Sequence, residues 1–506
     1  MTQKVPIHLV PLGETLEVEA GTPLPDVLFG YGVEFPCGGE GRCRGCRVKL
    51  LEGSLPVTLE DQEALTVNEI AAGWRLACLA RAESPLTLEI AQWEIPILSD
   101  DTRFDYEPAE GFGAAIDVGT TTLVVQLLDL SNGQVLAVKT ALNPQAVHGA
   151  DVMSRIQFSL AEGNQTEGRL TLEIRDALGS LISEALGNAG VDPTDLREAF
   201  LVGNTVMHHL FCGIDVEPLA HVPFEPVRDG LETMSAQDLG WKGCGEPVVR
   251  FLPCLGGFVG SDILAGVLAT GLADCVELSA LADLGTNGEI VVGNRDGLIC
   301  ASTAAGPAFE AGRIRMGMRA ALGAITGVSL RNGQFRCHVL GNIAPRGICG
   351  SGLVDAVSAG LELGIIQPNG RLPNGAGEFE LQPPVSLTQA DVRELQLAKG
   401  AIAAGLQILL EKIGAQLKDL HAFHLAGAFG NYVNRRSARH IGLLQVDLDR
   451  IRPAGNTALR GAKMALLSKT VFHQTLQELR YRIRHVSLGA DPRFQELFVE
   501  NMNFPA

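Results

Sequence analysis

Two stretches decide how this chain folds: AIDVGTTTLVVQLLD at 115–129 and LADLGTNGEIVVG at 281–293. Each runs an apolar strand into an aspartate, turns at a Gly-Thr pair and leaves along a second apolar run. The apolar pattern predicts strands over Ala114–Ile116 and Leu123–Leu130, and again over Ala280–Leu284 and Glu289–Val292. In the first stretch Asp117 ends the strand, and Gly119, Thr120, Thr121 and Thr122 make the turn. In the second, Asp283 is followed by Gly285, Thr286, Asn287 and Gly288, with Glu289 next. Such a turn offers backbone N–H groups and hydroxyls to phosphate oxygens, and the aspartate can hold the shell of a Mg²⁺ ion. One Asp-x-Gly-Thr turn is common in hairpins. Two of them, about 165 residues apart, are much more specific when a third Gly-rich turn, HLAGAFGNYVN at 424–434, follows. That third turn, with Gly427, Ala428, Phe429 and Gly430, suits packing against an adenine or ribose. Neither a GxxxxGK[ST] loop nor a GxGxxG loop occurs at these places, which argues against a P-loop or Rossmann site.

Around these stretches, Leu170–Leu186 and Ala398–Leu417 have helical apolar spacing, and Ile314–Arg346 carries a turn at Asn332-Gly333. The mixture predicts an α/β unit of two subdomains over 114–506, and its matched turns hint at an internal duplication. The whole chain has 506 residues, with 40 Lys+Arg against 58 Asp+Glu, a net charge of −18. That acidity excludes general nucleic-acid binding, which needs a basic surface. Glycine supplies 59 residues, about 12% against a usual ~7%, which points to tight turns and close backbone approaches. Phe251–Ala273 has one charge, Asp262, but five glycines and Pro253, so it reads as a Gly-rich loop entering a buried helix rather than a membrane span. The N-terminus lacks the charged-then-apolar order of a secretory signal, and a cytoplasmic location is expected.

Residues 1–95 predict a small α+β domain: strands at Ile7–Val10, Thr15–Glu19, Arg47–Leu51 and Leu86–Ile90, and one helix at Pro23–Tyr31. The polar, acidic stretch Ser99–Gly113 reads as a linker, so the chain divides into 1–95, a linker over 96–113, and 114–506. The small domain carries CGGEGRCRGC at 37–46 and a further cysteine, giving Cys37-x5-Cys43-x2-Cys46-x31-Cys78. Three thiolates on one Gly-rich loop, closed by a distant fourth, match a four-cysteine [2Fe–2S] site of the plant ferredoxin type. The first gap is one residue longer than in that type, as in the adrenodoxin-like branch. The alternatives on residue type are a zinc site, which usually takes two close Cys pairs, or buried thiols. Arg42, Arg44 and Arg47 are either solvated charge or a docking face for an acidic redox partner. The other seven cysteines have no close ligand partner in sequence and read as buried small hydrophobes.

The order of the three Gly-rich turns resembles the superfamily of actin, sugar kinases and heat-shock chaperone ATPases (ASKHA), whose two subdomains clamp Mg-ATP between paired phosphate hairpins. In that resemblance GNTVMHH at 203–209, with Gly203 and Asn204 at the nucleotide, falls at the first interdomain connection, and GNTALRGAKMAL at 455–466 is a candidate for the second. The addition of an N-terminal [2Fe–2S] ferredoxin (β-grasp) domain resembles the reductive activators of corrinoid-dependent enzymes. NPQAVHGADVMSRI (143–156), PCLGGFVGSDILA (253–265), AAGPAFEAGRIRMG (304–317) and GICGSGLVDA (347–356) are similar to that family as well. Two departures stand out. Longer members carry a middle domain between the ferredoxin and ATPase units, and only about 40 residues separate Cys78 from the first phosphate turn, so this domain is expected to be absent. Some members also carry C-terminal [4Fe–4S] cysteines, and this chain has no cysteine after Cys349.

The resemblance implies ATP-dependent return of a corrinoid protein from Co(II) to Co(I), with one electron from a cluster on Cys37, Cys43, Cys46 and Cys78. Plant-type clusters lie near −400 mV. A cobalt couple ~100–300 mV lower makes the transfer cost ~2–7 kcal/mol, a reason for nucleotide-driven domain closure. Asp117, Asp283 and the Gly-Thr turns then bind Mg-phosphate, and Glu289 is a candidate for placing the attacking water. His208 and His209 are candidates for partner contact or plain packing. Gly350-Ser351-Gly352 with Asp355 is either a loop near the nucleotide or a structural helix start. The implied partners are a corrinoid protein of a methyltransferase system and an external electron donor, with no nucleic acid or membrane. The competing readings are a small-molecule kinase that carries a ferredoxin domain and a redox-sensing ATP-binding module that regulates a partner. A plain ferredoxin-linked reductase leaves the two phosphate hairpins without a role.

Overall fold

The structure, a computed structural model, describes residues 4–10, 14–28, 33, 46–65, 67–89, 107–149, 151–163, 167–285, 287–320, 323–375, 377–489 and 491–505. The N-terminal unit is built on one five-stranded sheet. Its strands are β1 (Lys4–Val10), β2 (Glu14–Glu19), β3 (Arg47–Glu52), β4 (Trp74–Leu76) and β5 (Leu86–Glu89), in the order β2-β1-β5-β3-β4. Alternation in β1 turns Val5, Ile7 and Leu9 inward, where they meet Leu24, Leu28, Val48, Leu86 and Leu88. The sequence reading expected four strands. The fifth, β4, is three residues long with a central arginine, too short for alternation to register. A short helix stands at Leu24–Leu28, inside the expected span, whose residues 29–31 lie outside the described residues.

The remainder is two lobes with one strand plan used twice. In the first, β6 (Phe112–Val118), β7 (Thr122–Asp129) and β8 (Val135–Leu142) form an antiparallel meander. The strand β9 (Leu196–Val202) then pairs parallel to β6, and β11 (Val248–Phe251) parallel to β9, with β10 (Glu232–Ser235) on the edge. In the second, β12 (Ser279–Leu284), β13 (Gly288–Asn294) and β14 (Gly297–Thr303) repeat the meander. There β15 (Ala422–Ala426) runs parallel to β12, β16 (Ile451–Gly455) parallel to β15, and β17 (Ile483–His485) extends the far edge. The hint of duplication in the two Gly-Thr turns is thus met by matching sheet topology.

Alternation along these strands feeds three cores. Ile116, Val125 and Leu201 face one side with α1 (Arg169–Ala189) and α2 (Thr205–Cys212). Ala282, Ile290 and Leu425 face α4 (Gly350–Glu362) and α5 (Gln389–Lys412) in the second lobe. Between the lobes, Ala115, Phe200, Leu281 and Val291 pack on α3 (Ser261–Thr270) and α6 (Thr457–Leu467). These last two helices follow β11 and β16, equivalent strands of the two lobes. Their backbones nearly touch: a Cβ at Gly461 would lie 2.2 Å from the Ala265 carbonyl oxygen. The helix that crosses α6 is therefore α3, and the expected first connection at Gly203–His209 instead starts α2 inside the first lobe. The expected loop-then-helix in 251–273 is present as α3, and among the described residues no helix is long and apolar enough to cross a membrane.

Two boundaries differ from expectation. Phe112 and Gly113 already belong to β6, and Glu107 and Ala109 bond to Leu467 and Leu130, so the lobe reaches back into the linker assigned from its polarity. The helix expected over Ala398–Leu417 runs from Gln389 to Lys412. A capping box of Thr388 and Asp391 starts it, and Gly414 at φ +71 ends it.

Candidate functional site

Each lobe carries its aspartate at the same place. Asp117 pairs with Val202 across β6 and β9, and Gly203 follows; Asp283 pairs with Ala426 across β12 and β15, and Gly427 follows. Gly427 sits at φ +80, and a Cβ there would lie 2.3 Å from Asp283 Oδ1, so the third Gly-rich turn presses its backbone on the second aspartate. The lobes also reach across to each other. Asn456, which caps α6, donates from Nδ2 to Asp117 Oδ2 at 2.8 Å. Thr121 Oγ1 donates to Glu310 Oε2 at 3.0 Å.

The first turn is held from behind by amides and a guanidinium. Asn143 Nδ2 donates to the Gly119 carbonyl at 2.9 Å, and Asn204 Nδ2 to Thr120 Oγ1 at 2.8 Å. Arg155 donates to the Thr120 and Gly149 carbonyls and to Gln145 Oε1. Arg155 is the only buried arginine among the described residues, and burial lowers its guanidinium to about 10. Three carbonyl or amide oxygens satisfy it, which makes its burial tolerable. The NPQAVHGADVMSRI segment thus serves as a strut under the first turn.

The cleft itself is acidic. Burial raises the Asp117 carboxyl to about 6, while the Asn456 hydrogen bond pulls the other way. Burial, followed by the charges of Asp117 and Glu310, raises Asp283 to about 7. Asp262, in the first turn of α3, is raised by burial and by Asp283; the sequence reading missed it as a site residue. Glu289 lies on β13 opposite Asp283, 7% exposed, and is raised by burial, Asp262 and Asp283. Among the described residues no three His, Cys, Asp or Glu side chains are spaced to hold a metal ion directly.

The remaining expected residues fall as follows. Thr120 and Thr121 are partly buried at the first turn, and Thr122 opens β7. Gly285 N bonds to the Asn287 carbonyl at 3.0 Å, closing the second turn, while Thr286 lies outside the described residues. Gly427, Ala428, Phe429 and Gly430 lie in the short helix Gly427–Tyr432. His208 and His209 are buried in the first lobe, where His208 stacks edge-on to Phe251, so they pack rather than face a partner. Gly350-Ser351-Gly352 starts α4: Ser351 Oγ donates to the Thr326 carbonyl, and Asp355 Oδ2 accepts from Val328 N at 3.2 Å. It is a helix start packed on the 324–331 strand.

In the N-terminal unit Cys37 and Cys43, with Arg42 and Arg44, lie outside the described residues. Cys46 directly precedes β3 and Ala77 follows β4, and Ala77 N bonds to the Cys46 carbonyl at 3.0 Å. Cys78 is the next residue, so two cysteines far apart in sequence lie on neighbouring backbone segments. None of the nine described cysteines is in a disulfide. Cysteines on adjoining segments at a sheet end fit the donor type of a [2Fe–2S] cluster. Arg47 bonds to Glu69 at 3.2 Å and lies 5.1 Å from the Trp74 ring centre.

A ferredoxin-type unit joined to a two-lobed actin-like ATPase fold defines the class of protein. Comparison with known proteins gives the family. A [2Fe–2S] iron–sulfur cluster binding domain matches residues 7–83, the RACo middle region matches 112–274, and the C-terminal domain of RACo, the ASKHA domain, matches 277–506. The corrinoid activation enzyme RamQ of Eubacterium limosum is 31% identical over 585 aligned positions, covering 97% of this chain and 98% of that one. The [Co(II) methylated amine-specific corrinoid protein] reductase of Methanosarcina barkeri is 26% identical, over 78% of this chain and 77% of its own. A solved reductive activator for a corrinoid, iron–sulfur protein superposes with TM-score 0.70 at 28% identity, covering 99% of this chain and 98% of that one. The chain belongs to the family of reductive activators of corrinoid proteins. The RACo middle region coincides with the first lobe and has the Asp117 turn inside it.

Proposed function

We propose that this chain is an ATP-dependent activator that returns a corrinoid protein from Co(II) to Co(I). Cobalt is the substrate and gains one electron. When bound, a [2Fe–2S] cluster supplies a single low-potential electron; Cys37, Cys43, Cys46 and Cys78 are the residues to hold it. The observation that carries the reading is the union, in one chain of this family, of ferredoxin thiols with a cleft whose paired aspartates sit at equivalent ends of duplicated sheets.

In this reading Asp117 and Asp283 take the hydration shell of Mg²⁺, which neutralises carboxylates that burial otherwise holds toward protonation. The turns at Gly119–Thr122 and Gly285–Gly288 hold the phosphates from opposite lobes. Gly203 and Asn204 support the first turn, and Gly427–Gly430 approaches the nucleoside. The Asn456 and Thr121 contacts already cross the cleft, so nucleotide bound there favours the closed arrangement of the lobes. The working division is a ferredoxin domain to about residue 95 and a two-lobed ATPase domain to 506. The partner belongs to a methyltransferase system, an external donor re-reduces the chain, and the setting is cytoplasmic.

The test is anaerobic. The reconstituted, reduced protein is mixed with a Co(II) corrinoid protein and Mg-ATP, and Co(I) is followed by absorbance. Co(I) formation that Cys78→Ser abolishes supports the reading; no Co(I) from protein with intact cluster and bound ATP refutes it.

A further inference from the structure

Glu310 lies between the two phosphate turns. Its Oε2 accepts the Thr121 hydroxyl of the first turn at 3.0 Å. Its Oε1 would lie 3.6 Å from a Cβ at Gly285, at the second turn. Its charge acts on Asp283 and on the Arg155 guanidinium behind the first turn. One carboxylate therefore meets both lobes where a transferred phosphoryl group would be held.

The segment that carries it is built to hold it still. Glu310 ends the one-turn 3₁₀ helix Pro307–Glu310, entered at Gly306 with φ +79 and left through Ala311 with φ +60. Arg313 also has φ +60. Two non-glycine residues in the left-handed region within three positions of one carboxylate mark a segment its surroundings over-determine. Those surroundings are visible. Phe309 stacks on Phe429 at 4.6 Å between ring centres, tying the turn to the Gly427–Tyr432 helix. Gly350 at the start of α4 abuts it so closely that a Cβ would lie 1.8 Å from the Phe309 carbonyl oxygen. Three Gly-rich segments, at 304–317, 347–356 and 424–434, thus converge on the position of a single carboxylate.

We propose that Glu310 is the general base that orients and deprotonates the water attacking the terminal phosphate of ATP. This rests on the ATPase reading of the cleft. In the step, the water oxygen bonds to the γ-phosphorus and the bond from that phosphorus to the β,γ-bridging oxygen breaks. ADP leaves with that oxygen, and the proton passes to the Glu310 carboxylate and on to solvent. Glu289, the earlier candidate, fits the task less well: it sits within a strand, 7% exposed, facing the Asp262 and Asp283 charges.

The test compares wild type, Glu310→Gln and Glu310→Ala as full-length, cluster-loaded protein. Gln keeps an acceptor for Thr121 but cannot take a proton. The proposal expects Glu310→Gln to bind Mg-ATP within about threefold of wild type, keep its melting temperature, and hydrolyse ATP about 10²–10⁴-fold more slowly. Added formate restores part of the hydrolysis in Glu310→Ala, which a purely structural role does not allow. Hydrolysis by Glu310→Gln within threefold of wild type overturns the proposal. So does a slow variant that formate never rescues, or wild type that binds Mg-ATP without hydrolysing it. Wild type that does not bind Mg-ATP at all instead removes the ATPase reading beneath it.

Discussion

The two lobes share a strand plan yet treat their phosphate turns differently. The first turn is braced by neutral amides and one buried guanidinium: Asn143, Asn204 and Arg155 fix its carbonyls and hydroxyls from behind. The second is crowded by carboxyl groups, with Asp262, Glu289 and Glu310 around Asp283. The two aspartates hold equivalent places, yet one side is a braced cradle and the other a cluster of buried carboxyl groups. The proposed Mg-phosphate ligand matches that division: its phosphates would meet the braced turn while the metal would offset the acid.

Removing either aspartate is the strongest way to break this comparison. Asp117→Ala and Asp283→Ala are each expected to lower Mg-ATP-dependent turnover by about 10²–10³-fold, measured as steady-state hydrolysis. Equal losses support a site shared by both lobes, and a loss confined to one aspartate breaks the pairing.

Arg155→Met comes next and concerns the cradle alone. It strips the donor from the Thr120 and Gly149 carbonyls and from Gln145. We expect a stability loss of about 3–5 kcal/mol by denaturant titration, together with weaker ATP binding. No other buried arginine exists among the described residues to play this part behind the second turn.

Asn456→Ala removes both the cap of α6 and the cross-lobe bond to Asp117. A loss of about 1–2 kcal/mol is expected, read as a lower melting temperature, with weaker Mg-ATP binding by calorimetry.

The smallest effect is in pH dependence. Asp117 and Asp283 are raised in the folded state to about 6 and 7, above their ordinary 3.8. The folded protein then holds more protons than the unfolded chain between those values. The contribution of these groups is present below about pH 3.8 and is lost as pH rises from there to about 6 to 7. Asp283→Asn should therefore flatten the fall in ligand-free melting temperature over that window, and Mg-ATP should flatten it in wild type.

Much of the frame was legible because it is local. Asp117 and Asp283 stand beside their own turns, and alternation marked the hairpins that carry them. What sequence alone did not yield is long-range. Glu310 meets Thr121 across 189 positions, and Asn456 meets Asp117 across 339. No period or short motif encodes such a meeting; only the pairing of lobes creates it. Asp262 was hidden for another reason: in a stretch read for its apolar character, it looked like the lone charge of a buried helix rather than part of an acid cluster. The start of α5 was in principle readable, since Thr388 and Asp391 spell a capping box, but the apolar spacing begins later and dominated.

The central claim is that nucleotide held between the lobes makes the electron step effective. The most direct measurement is the initial rate of Co(I) formation from a Co(II) corrinoid protein, with and without Mg-ATP, in wild type and Asp283→Ala carrying equal reduced cluster. The account expects Mg-ATP to accelerate wild type at least tenfold and to leave Asp283→Ala at the nucleotide-free rate. Equal wild-type rates with and without Mg-ATP would contradict it.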